Sequence, residues 1–299
     1  NDTALKTVYL PSTITSLPSS AFSNCSSLEN VIFADNCALS AISASAFNKC
    51  SSLKNIDLPD NITTISSTAF QYSGLISIEL PIDLVTIGDR AFQSCLSLES
   101  VVFHDNVTTL GQQVFIYCSA LKNVVLSNTL SSVNRGIFAS CTSLETIDLP
   151  DTISSIGSLA FSETAIESIT IPASVTSINT TAFSKAYKLR EFIVEEGNEN
   201  FSVRDGILFS SETPYILPNV LCGDDETWTV PEYFTSLPSQ FFAYKTAGTV
   251  VIPSTVTEMV QKQLFYFSYI KEIIIENTHN IHRRSDVLLR QRIGKNSYT

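Results

Sequence analysis

The chain has 299 residues, of which 44% are hydrophobic and only 16% are charged, and its formal net charge is −11. It contains 42 Ser and 29 Thr, so neutral hydroxyl groups replace much of the charge that usually covers a soluble surface. This composition excludes intrinsic disorder, which needs few apolar residues and high charge. No run of roughly eighteen apolar residues is present, so no membrane insertion is predicted within this sequence. The acidic charge argues against a nucleic-acid partner, which would require a basic face.

Phenylalanine recurs through the first two thirds of the chain at intervals of 22 to 25 residues. The recurring positions are Phe22, Phe47, Phe70, Phe92, Phe115, Phe138, Phe161 and Phe183. A cysteine often follows three residues later, at Cys25, Cys50, Cys95, Cys118 and Cys141. A leucine or isoleucine follows after five or six residues, at Leu28, Leu53, Leu75, Leu98, Leu121, Leu144, Ile166 and Leu189. A fixed period of this length is the signature of a repeat architecture.

Each repeat continues with the motif Leu-x-x-Val/Ile-x-Leu-Pro, as in residues 53–59. Its period of two predicts a short strand with one buried face, and the proline ends the strand because it cannot donate to a ladder. Two apolar residues spaced by three, such as Ile62 and Ile65, then line a second edge of the coil. The inward residues around each Phe are also spaced by three, which predicts a short helical or 3-10 turn on the outer side.

One such unit cannot bury its own apolar face, whereas a stack of units shares a core between neighbours. We therefore predict an α/β solenoid of about twelve coils, with a parallel sheet on one face and short helical turns on the other. Its strands would lie about 4.8 Å apart. The twelve strand positions are centred on Val8, Val31, Ile56, Ile78, Val101, Val124, Ile147, Ile169, Phe192, Trp228, Val250 and Ile273.

The repeat is interrupted once and ends before the C-terminus. The interval from Phe192 to Trp228 exceeds one repeat by about 13 residues, and its apolar runs predict a β-hairpin near residues 201–217 within an insert at about 197–220. Residues 277–299 break the pattern and carry five basic residues and one acid. We therefore divide the chain into a solenoid, residues 1–276, and a basic C-terminal tail or cap, residues 277–299. Because Asn1 lies partway through a unit, we expect a piece of a longer chain.

The unit Ala-Phe-x-x-Cys-x-x-Leu-x-x-Ile-x-Leu-Pro-x-x-Ile-x-x-Ile resembles the BspA-like (Treponema pallidum type) leucine-rich repeat. The resemblance is close over residues 4–194 and looser over 228–276, and residues 201–209 are similar to a hairpin-bearing variant of that repeat. The cysteine slot departs from the pattern at Ser73, Thr164, Ala186, Lys245 and Phe267. The resemblance implies a leucine-rich repeat solenoid, a cell-surface or secreted location, and an adhesin-type role in binding host proteins or other microbes.

The sequence offers no catalytic, cofactor or metal motif. G-x-S-x-G, Walker, G-x-G-x-x-G and H-E-x-x-H patterns are absent, and the only histidines are His104, His279 and His282. Five of the seven cysteines share one slot of the repeat, which indicates a column of core residues. Residues 223–226 lack the alternating oxygen ligands of a calcium loop, and we interpret them as a solvated turn. We therefore predict no enzyme, no cofactor and no metal site.

The residue after each repeated leucine or isoleucine is usually charged, and the sign mostly alternates from one coil to the next. The residues are Lys6, Glu29, Lys54, Ile76, Glu99, Lys122, Glu145, Glu167 and Arg190. Stacked in parallel they would be neighbours, and such opposite-charge pairs contribute roughly 0.2–1 kcal/mol each, less when exposed. We interpret them as a ladder that sets the register of the stack, in preference to a ligand site.

A second row lies between the two buried residues of each strand and faces solvent. We predict partner binding at eight of its members: Tyr9, Ile32, Asp57, Glu79, Val102, Val125, Asp148 and Ile193. Contiguous exposed apolar residues usually mark an interaction site, although β-branched residues also favour strands intrinsically. Ile32, Val102 and Val125 would supply the apolar anchor, and the carboxylates would supply polar selection.

Two functions fit these observations. The first is non-enzymatic recognition of a protein or glycan, including one derived from a host, at a cell surface or outside the cell. The alternative is a structural spacer or scaffold within a longer surface or intracellular protein. A captured ligand would separate the two.

Overall fold

The computed structural model describes residues 4–210, 216, 221, 223–237, 241–259 and 268–276. Within these residues the chain is a parallel β-solenoid of about eleven turns, one fewer than the predicted number. The twelfth strand is present, but the remainder of its coil lies outside the described residues, as does the tail, residues 277–299. No helix in the described part of the chain is long and apolar enough to span a bilayer.

Two sets of short strands run along the stack, and a hairpin lies between the ninth and tenth strand positions. The first set forms the strand face: β1 (Thr7–Leu10), β2 (Asn30–Phe33), β6 (Ser100–Val102), β8 (Asn123–Val125), β11 (Ser168–Ile171), β13 (Glu191–Val194), β16 (Thr227–Thr229), β18 (Thr246–Ile252) and β20 (Tyr269–Ile275). The second set forms the second edge: β3 (Ala41–Ile42), β4 (Thr64–Ile65), β5 (Thr86–Ile87), β7 (Thr109–Leu110), β9 (Ser132–Val133), β10 (Ser155–Ile156), β12 (Ser177–Ile178), β17 (Ser236–Leu237) and β19 (Glu258–Met259). The hairpin is β14 (Phe201–Arg204) and β15 (Ile207–Ser210).

The strand face is not the continuous sheet that the sequence predicts. It is divided into β1-β2, β6-β8, β11-β13 and β16-β18-β20, and Ile56, Ile78 and Ile147 lie outside assigned strands although Ile56 and Ile78 are buried. The sequence predicts only a line of apolar residues at the second edge. In the structure this edge carries ladders of four strands, β3-β4-β5-β7, and three strands, β9-β10-β12, whereas most ladders of the strand face have two. All these ladders are parallel, as predicted.

Proline explains most of the breaks. In three of the coils without proline after the strand, the backbone N–H at that position donates to the preceding coil, as from Ala34 to Leu10 and from Glu195 to Ile171. Proline removes this donor. A ladder of two to four residues has so few hydrogen bonds that the loss of one prevents its formation. The strand positions before Pro59, Pro81, Pro150, Pro172 and Pro231 are accordingly unpaired with the preceding coil. Pro253 is an exception, because the seven-residue β18 pairs with β16 upstream of the proline.

The outer turns are not helical, so the predicted α/β class and its helical or 3-10 turns are wrong. Each is a series of tight turns with left-handed residues two positions before and after the Phe, as at Ser45 (φ 56°) and Lys49 (φ 60°). Alternate N–H groups donate to the next coil instead of within their own turn, as from Phe47 to the Ala69 carbonyl at 2.8 Å. The spacing of three was misleading because consecutive turns closed by i to i−3 hydrogen bonds produce it without a helix.

The repeated phenylalanines form a continuous stack along the core. Neighbouring rings from Phe22 to Phe183 lie 5.4–5.9 Å apart between centroids and within 17° of parallel. The rings from Phe47 to Phe161 are completely buried. The repeated Leu and Ile residues lie in the same core, which is shared between coils as predicted.

The cysteines form a buried column beside this stack. Cys50, Cys95, Cys118 and Cys141 each donate a weak S–H hydrogen bond, of 3.1–3.2 Å between sulfur and oxygen, to the carbonyl of the Phe in the preceding coil. Burial raises the pKa of the Cys50 thiol to about 12, with a contribution from the neighbouring Cys25, and also raises the pKa of Cys141. The Cys50 and Cys141 thiols therefore stay protonated at neutral pH, and the column as a whole consists of core residues that also satisfy carbonyl groups.

The insert forms a hairpin, but its turn differs from the one predicted at residues 210–214. The turn is Asp205-Gly206, with φ angles of 52° and 74°, the left-handed pair that favours Asp-Gly. Ile216 forms a single antiparallel bridge with Leu208, and most of the second predicted run lies outside the described residues. The hairpin separates two cores, because Leu208 packs into the larger one and Ile207 into the smaller.

Substituting a ring in the middle of the stack should destabilise the coils on both sides. We expect Phe115→Ala to lower the free energy of unfolding by about 3–5 kcal/mol, because the cavity opens against two neighbouring rings. Urea denaturation followed by circular dichroism measures this loss. The control Val125→Ala, at a half-exposed strand position, should cost less than about 1 kcal/mol. Equal costs for the two variants would contradict a core that depends on the stack.

The buried thiols should be unreactive in the folded protein. The thiolate is the nucleophile, and burial disfavours its formation. We therefore expect less than about one thiol equivalent per chain, out of the six described cysteines, to react with Ellman's reagent at pH 8. The measurement uses a Cys222→Ser variant, since Cys222 lies outside the described residues. All six should react after unfolding in guanidinium, and rapid reaction of several native thiols would contradict the buried column.

Candidate binding site on the strand face

The predicted row forms a column along the strand face, which we call the strand-face column. Its members are Tyr9, Ile32, Asp57, Glu79, Val102, Val125, Asp148, Thr170, Ile193, Thr229, Val251 and Ile274. Parallel pairing places successive members side by side where ladders form, as for Tyr9 with Ile32, Val102 with Val125 and Thr170 with Ile193. The alternation of the strand sends their side chains outward while the residues on either side point into the core.

The apolar members of the column are exposed. The exposed fraction is 75% for Tyr9, 54% for both Val102 and Val125, and 44% for both Ile32 and Ile193. Their immediate neighbour Val101 is buried to 1% exposure, so the outward direction of Val102 follows from the strand alternation and not from loose packing. These residues bring a row of apolar surface to solvent.

Acidic members separate the apolar ones. Tyr9 and Ile32 form one apolar pair and Val102 and Val125 the next, with the exposed carboxylates of Asp57 and Glu79 between them. Asp148 follows on the far side of Val125 and is also exposed. Across the residues that the structure describes, none of these three carboxylates forms an ion pair. The column therefore offers uncompensated negative charge beside apolar surface.

The charged ladder next to the column has the expected backbone pairing, but among the described residues only two of its own members, Lys6 and Glu29, form an ion pair with each other. The N–H of Glu29 donates to the Lys6 carbonyl, and the Lys6 ammonium lies 3.2 Å from the Glu29 carboxylate. Further along the stack, Glu145 pairs instead with Lys188, at 3.8 Å. Both pairs are largely exposed, so their contribution to stability is small.

Sequence reasoning missed a polar column that borders the strand-face column. It consists of the first outward residue of each strand position: Thr7, Asn30, Asn55, Ser77, Ser100, Asn123, Thr146, Ser168 and Glu191. The Ser77 hydroxyl donates to the Asn55 side-chain carbonyl at 3.0 Å. The signal was present in the repeat register, two residues before each member of the predicted row. Apart from Glu191, this column places neutral hydrogen-bonding groups beside the apolar and acidic members.

On the outer turns, one charged ladder links three coils. The Ser140 hydroxyl donates to Glu163 at 2.7 Å, and Lys185 donates to the same carboxylate at 2.9 Å. These two hydrogen bonds hold the pKa of Glu163 below its usual value. The Lys185 ammonium also lies 5.7 Å from the centre of the Tyr244 ring, beyond the insert. This ladder therefore helps to hold the two parts of the solenoid together.

The remaining polar candidates have structural contacts. His104 forms a hydrogen bond through Nε2 with the Leu80 carbonyl at 3.2 Å. Asp224 lies 3.1 Å from the Lys271 ammonium, and Glu226 accepts a hydrogen bond from the backbone of Gly223. Among the described residues no three metal-ligating side chains converge. His279 and His282 lie outside the described residues.

The stacked coils and the exposed strand face define a leucine-rich repeat protein. The BspA type leucine-rich repeat region matches the chain in six copies over residues 1–122, 112–205 and 221–285. The chain therefore belongs to the BspA-type leucine-rich repeat family, as the sequence motif indicated.

Solved structures of similar proteins come from several bacteria. A leucine-rich repeat protein from Bacteroides ovatus is 20% identical, with 91% of this chain and 84% of that chain covered and a TM-score of 0.62. The leucine-rich repeat protein of T. pallidum is 31% identical, with 53% and 76% covered and a TM-score of 0.48. A leucine-rich cell surface protein from Faecalibacterium prausnitzii is 25% identical, with 90% and 60% covered and a TM-score of 0.45. No curated protein matches the chain.

The Glu163 ladder should make a small, pH-dependent contribution to stability. Because the folded-state pKa of Glu163 is depressed, its stabilisation is present at pH 7 and is lost as the pH falls through that value. At pH 7 we expect Glu163→Gln to lower the free energy of unfolding by less than about 1 kcal/mol, which appears as a slightly lower melting temperature. At pH 3 the substitution should not change the melting temperature. Glu145→Gln, with its longer ion pair, is the control and should have a smaller effect. A constant difference between Glu163→Gln and wild type from pH 7 to pH 3 would contradict this account.

Proposed function

We propose that the chain is a non-enzymatic recognition module that binds a protein partner through the strand-face column. The observation that supports the proposal is the arrangement of exposed apolar pairs beside carboxylates that have no described ion-pair partner. Exposed apolar residues in a contiguous row favour association because burying them removes apolar surface from water. The backbone beneath them is fixed by the stack, so little conformational entropy is lost on binding.

The column also suggests the chemistry of the partner. Val and Ile side chains cannot hydrogen-bond sugar hydroxyls, so a protein surface suits this site better than a glycan. The carboxylates of Asp57, Glu79 and Asp148 would select Lys or Arg at the flanks of an apolar anchor. The two apolar pairs are centred four coils apart, or about 19 Å at the usual strand spacing. A partner that engages both pairs must therefore present an extended surface.

We place this recognition at a cell surface or outside the cell, as the family resemblance implies. Family membership supports recognition or scaffolding more than catalysis. The spacer alternative differs in one respect, because a scaffold would need no binding surface on its strand face.

Selection from a displayed library of random 15-residue peptides tests the proposal. We expect the wild-type chain to enrich peptides with apolar residues flanked by Lys or Arg. Val102→Lys with Val125→Lys should reduce affinity for the enriched peptides at least tenfold, because the new ammonium groups remove the apolar anchor and repel basic flanks. Asp57→Asn with Glu79→Asn should instead remove the preference for basic residues and the salt dependence of binding.

The matched control places two lysines on the second edge. Val85 and Thr108 are exposed neighbours on adjacent coils, as Val102 and Val125 are on the strand face. Val85→Lys with Thr108→Lys should leave both melting temperature and peptide affinity near wild type. Peptide binding that survives the strand-face lysines would dismiss this surface, and failure to enrich any sequence would favour the spacer.

A further inference from the structure

The inserted hairpin leaves a break in the strand face. Within the described ranges, β13 pairs only with β11, and β16 is the edge strand of the sheet β16-β18-β20. In other parts of the solenoid a break in pairing still leaves one coil stacked directly on the next. Here the hairpin β14-β15 follows β13 along the chain. Arg204 at its turn contacts the ring of Tyr233 in the coil that begins at β16.

A groove of about 380 Å³ lies between the hairpin turn and this coil. The turn contributes Arg204 and Asp205, β16 contributes Trp228 and Thr229, and the following loop contributes Glu232 and Tyr233. The groove is open along one side, so it suits a chain-like ligand more than a small enclosed molecule. It includes Thr229 of the strand-face column but lies beyond the apolar pairs and the three carboxylates on which the proposed function rests.

The polar groups of the groove are positioned by contacts across the insert. The Arg204 guanidinium lies 4.0 Å from the centre of the Tyr233 ring, a cation–π contact that fixes both side chains. Its Nε atom lies 3.7 Å from the Asp205 carboxylate. The remaining guanidinium donors of Arg204 and the Asp205 carboxylate are therefore held close to one another at the wall of the groove, which Glu232 also lines.

The Tyr233 hydroxyl is enclosed and unsatisfied. Its oxygen is closed off from solvent and makes no hydrogen bond with the described residues. Burial raises the pKa of Tyr233 to about 12, and the nearby charge of Asp205 adds to this effect. A buried polar group without a partner is unfavourable. A ligand hydroxyl would reach the Tyr233 oxygen only if this side chain turned toward the groove, and the contact would then relieve that cost.

We propose that this groove binds a neutral glycan chain. Sugar hydroxyls both donate and accept hydrogen bonds, and the groove combines guanidinium donors with the acceptors of Asp205 and Glu232. The rings of Trp228 and Tyr233 add apolar surface next to polar groups, which suits the mixed faces of a sugar.

Charge and strand length disfavour the other ligand classes. The groove has one cationic and two anionic side chains, within a chain of net charge −11, so an anionic glycan would be repelled. A peptide could add to the edge of β16, but this strand is only three residues long and offers few backbone hydrogen bonds. A neutral glycan is not repelled by the acidic charge and does not depend on backbone hydrogen bonds to β16.

The chain has a single tryptophan, and it lines the groove. Intrinsic fluorescence of Trp228 therefore reports on this site in the intact protein. The probes are neutral hexasaccharides of glucose, mannose, galactose and N-acetylglucosamine, a heparin hexasaccharide as the anionic comparison, and hexalysine as the peptide comparison. We expect a saturable change with at least one neutral hexasaccharide, and none with heparin or hexalysine.

Two substitutions connect that response to the groove. Arg204→Ala should weaken binding at least tenfold, and Tyr233→Phe, which removes only the hydroxyl, should weaken it at least threefold. Arg190→Ala, at an exposed arginine outside the groove, and the Val102→Lys with Val125→Lys variant should bind like wild type. The latter variant separates this proposal from the strand-face function, since each can fail without the other. Melting temperatures establish that every variant is folded.

The proposal is overturned if no neutral hexasaccharide gives a saturable response, as measured by fluorescence and by calorimetry. It is also overturned if heparin or hexalysine binds in place of the neutral sugars. A response that persists in both Arg204→Ala and Tyr233→Phe would place the sugar elsewhere and would overturn it as well.

Discussion

Everything in this molecule depends on the contact between one coil and the next. A unit of 22 to 25 residues has too little interior to enclose its own apolar side chains, so each Phe is covered by the rings of the coils before and after it. The backbone strengthens this contact in two directions. On the strand face N–H groups donate to the preceding coil, whereas on the outer turns they donate to the following one. A coil is therefore hydrogen-bonded to its neighbours on opposite sides of its perimeter.

The same contact makes the surface periodic. Any residue at a given position of the unit is repeated along the stack at the strand spacing, so a column of side chains is the natural recognition element of this fold. In the strand-face column, apolar pairs alternate with acidic residues over successive coils. Proline interrupts the hydrogen bonds below the column, but Ile56 and Ile78 stay buried and the outward residues stay in line. Side-chain packing thus maintains the column where backbone hydrogen bonds between neighbouring strand positions are missing.

The hairpin is the one departure from periodicity that changes the chemistry available. It divides the interior into two cores and leaves β13 and β16 unpaired with each other. Across this break, Lys185 reaches the Tyr244 ring on the outer side and Arg204 reaches the Tyr233 ring on the other. The ladders and the phenylalanine stack in the rest of the solenoid join equivalent residues of neighbouring coils. Across the insert, donors, acceptors and aromatic rings from different positions come together instead.

The sequence alone determined the repeat, its register and the direction of each side chain, because burial is imposed by a period that can be counted. Phe115, Cys118, Leu121 and Val124 are all in the core, and Val125 is on the surface, as their spacing predicts. It did not determine the backbone of the outer turns, since tight turns and a helix share the spacing of three and only hydrogen bonds to the next coil distinguish them. The sequence also did not show which strand ladders would be interrupted or which residues would be in contact across the hairpin. Arg204 and Tyr233 are 29 positions apart in a part of the chain where the period fails, so only the tertiary structure decided their contact.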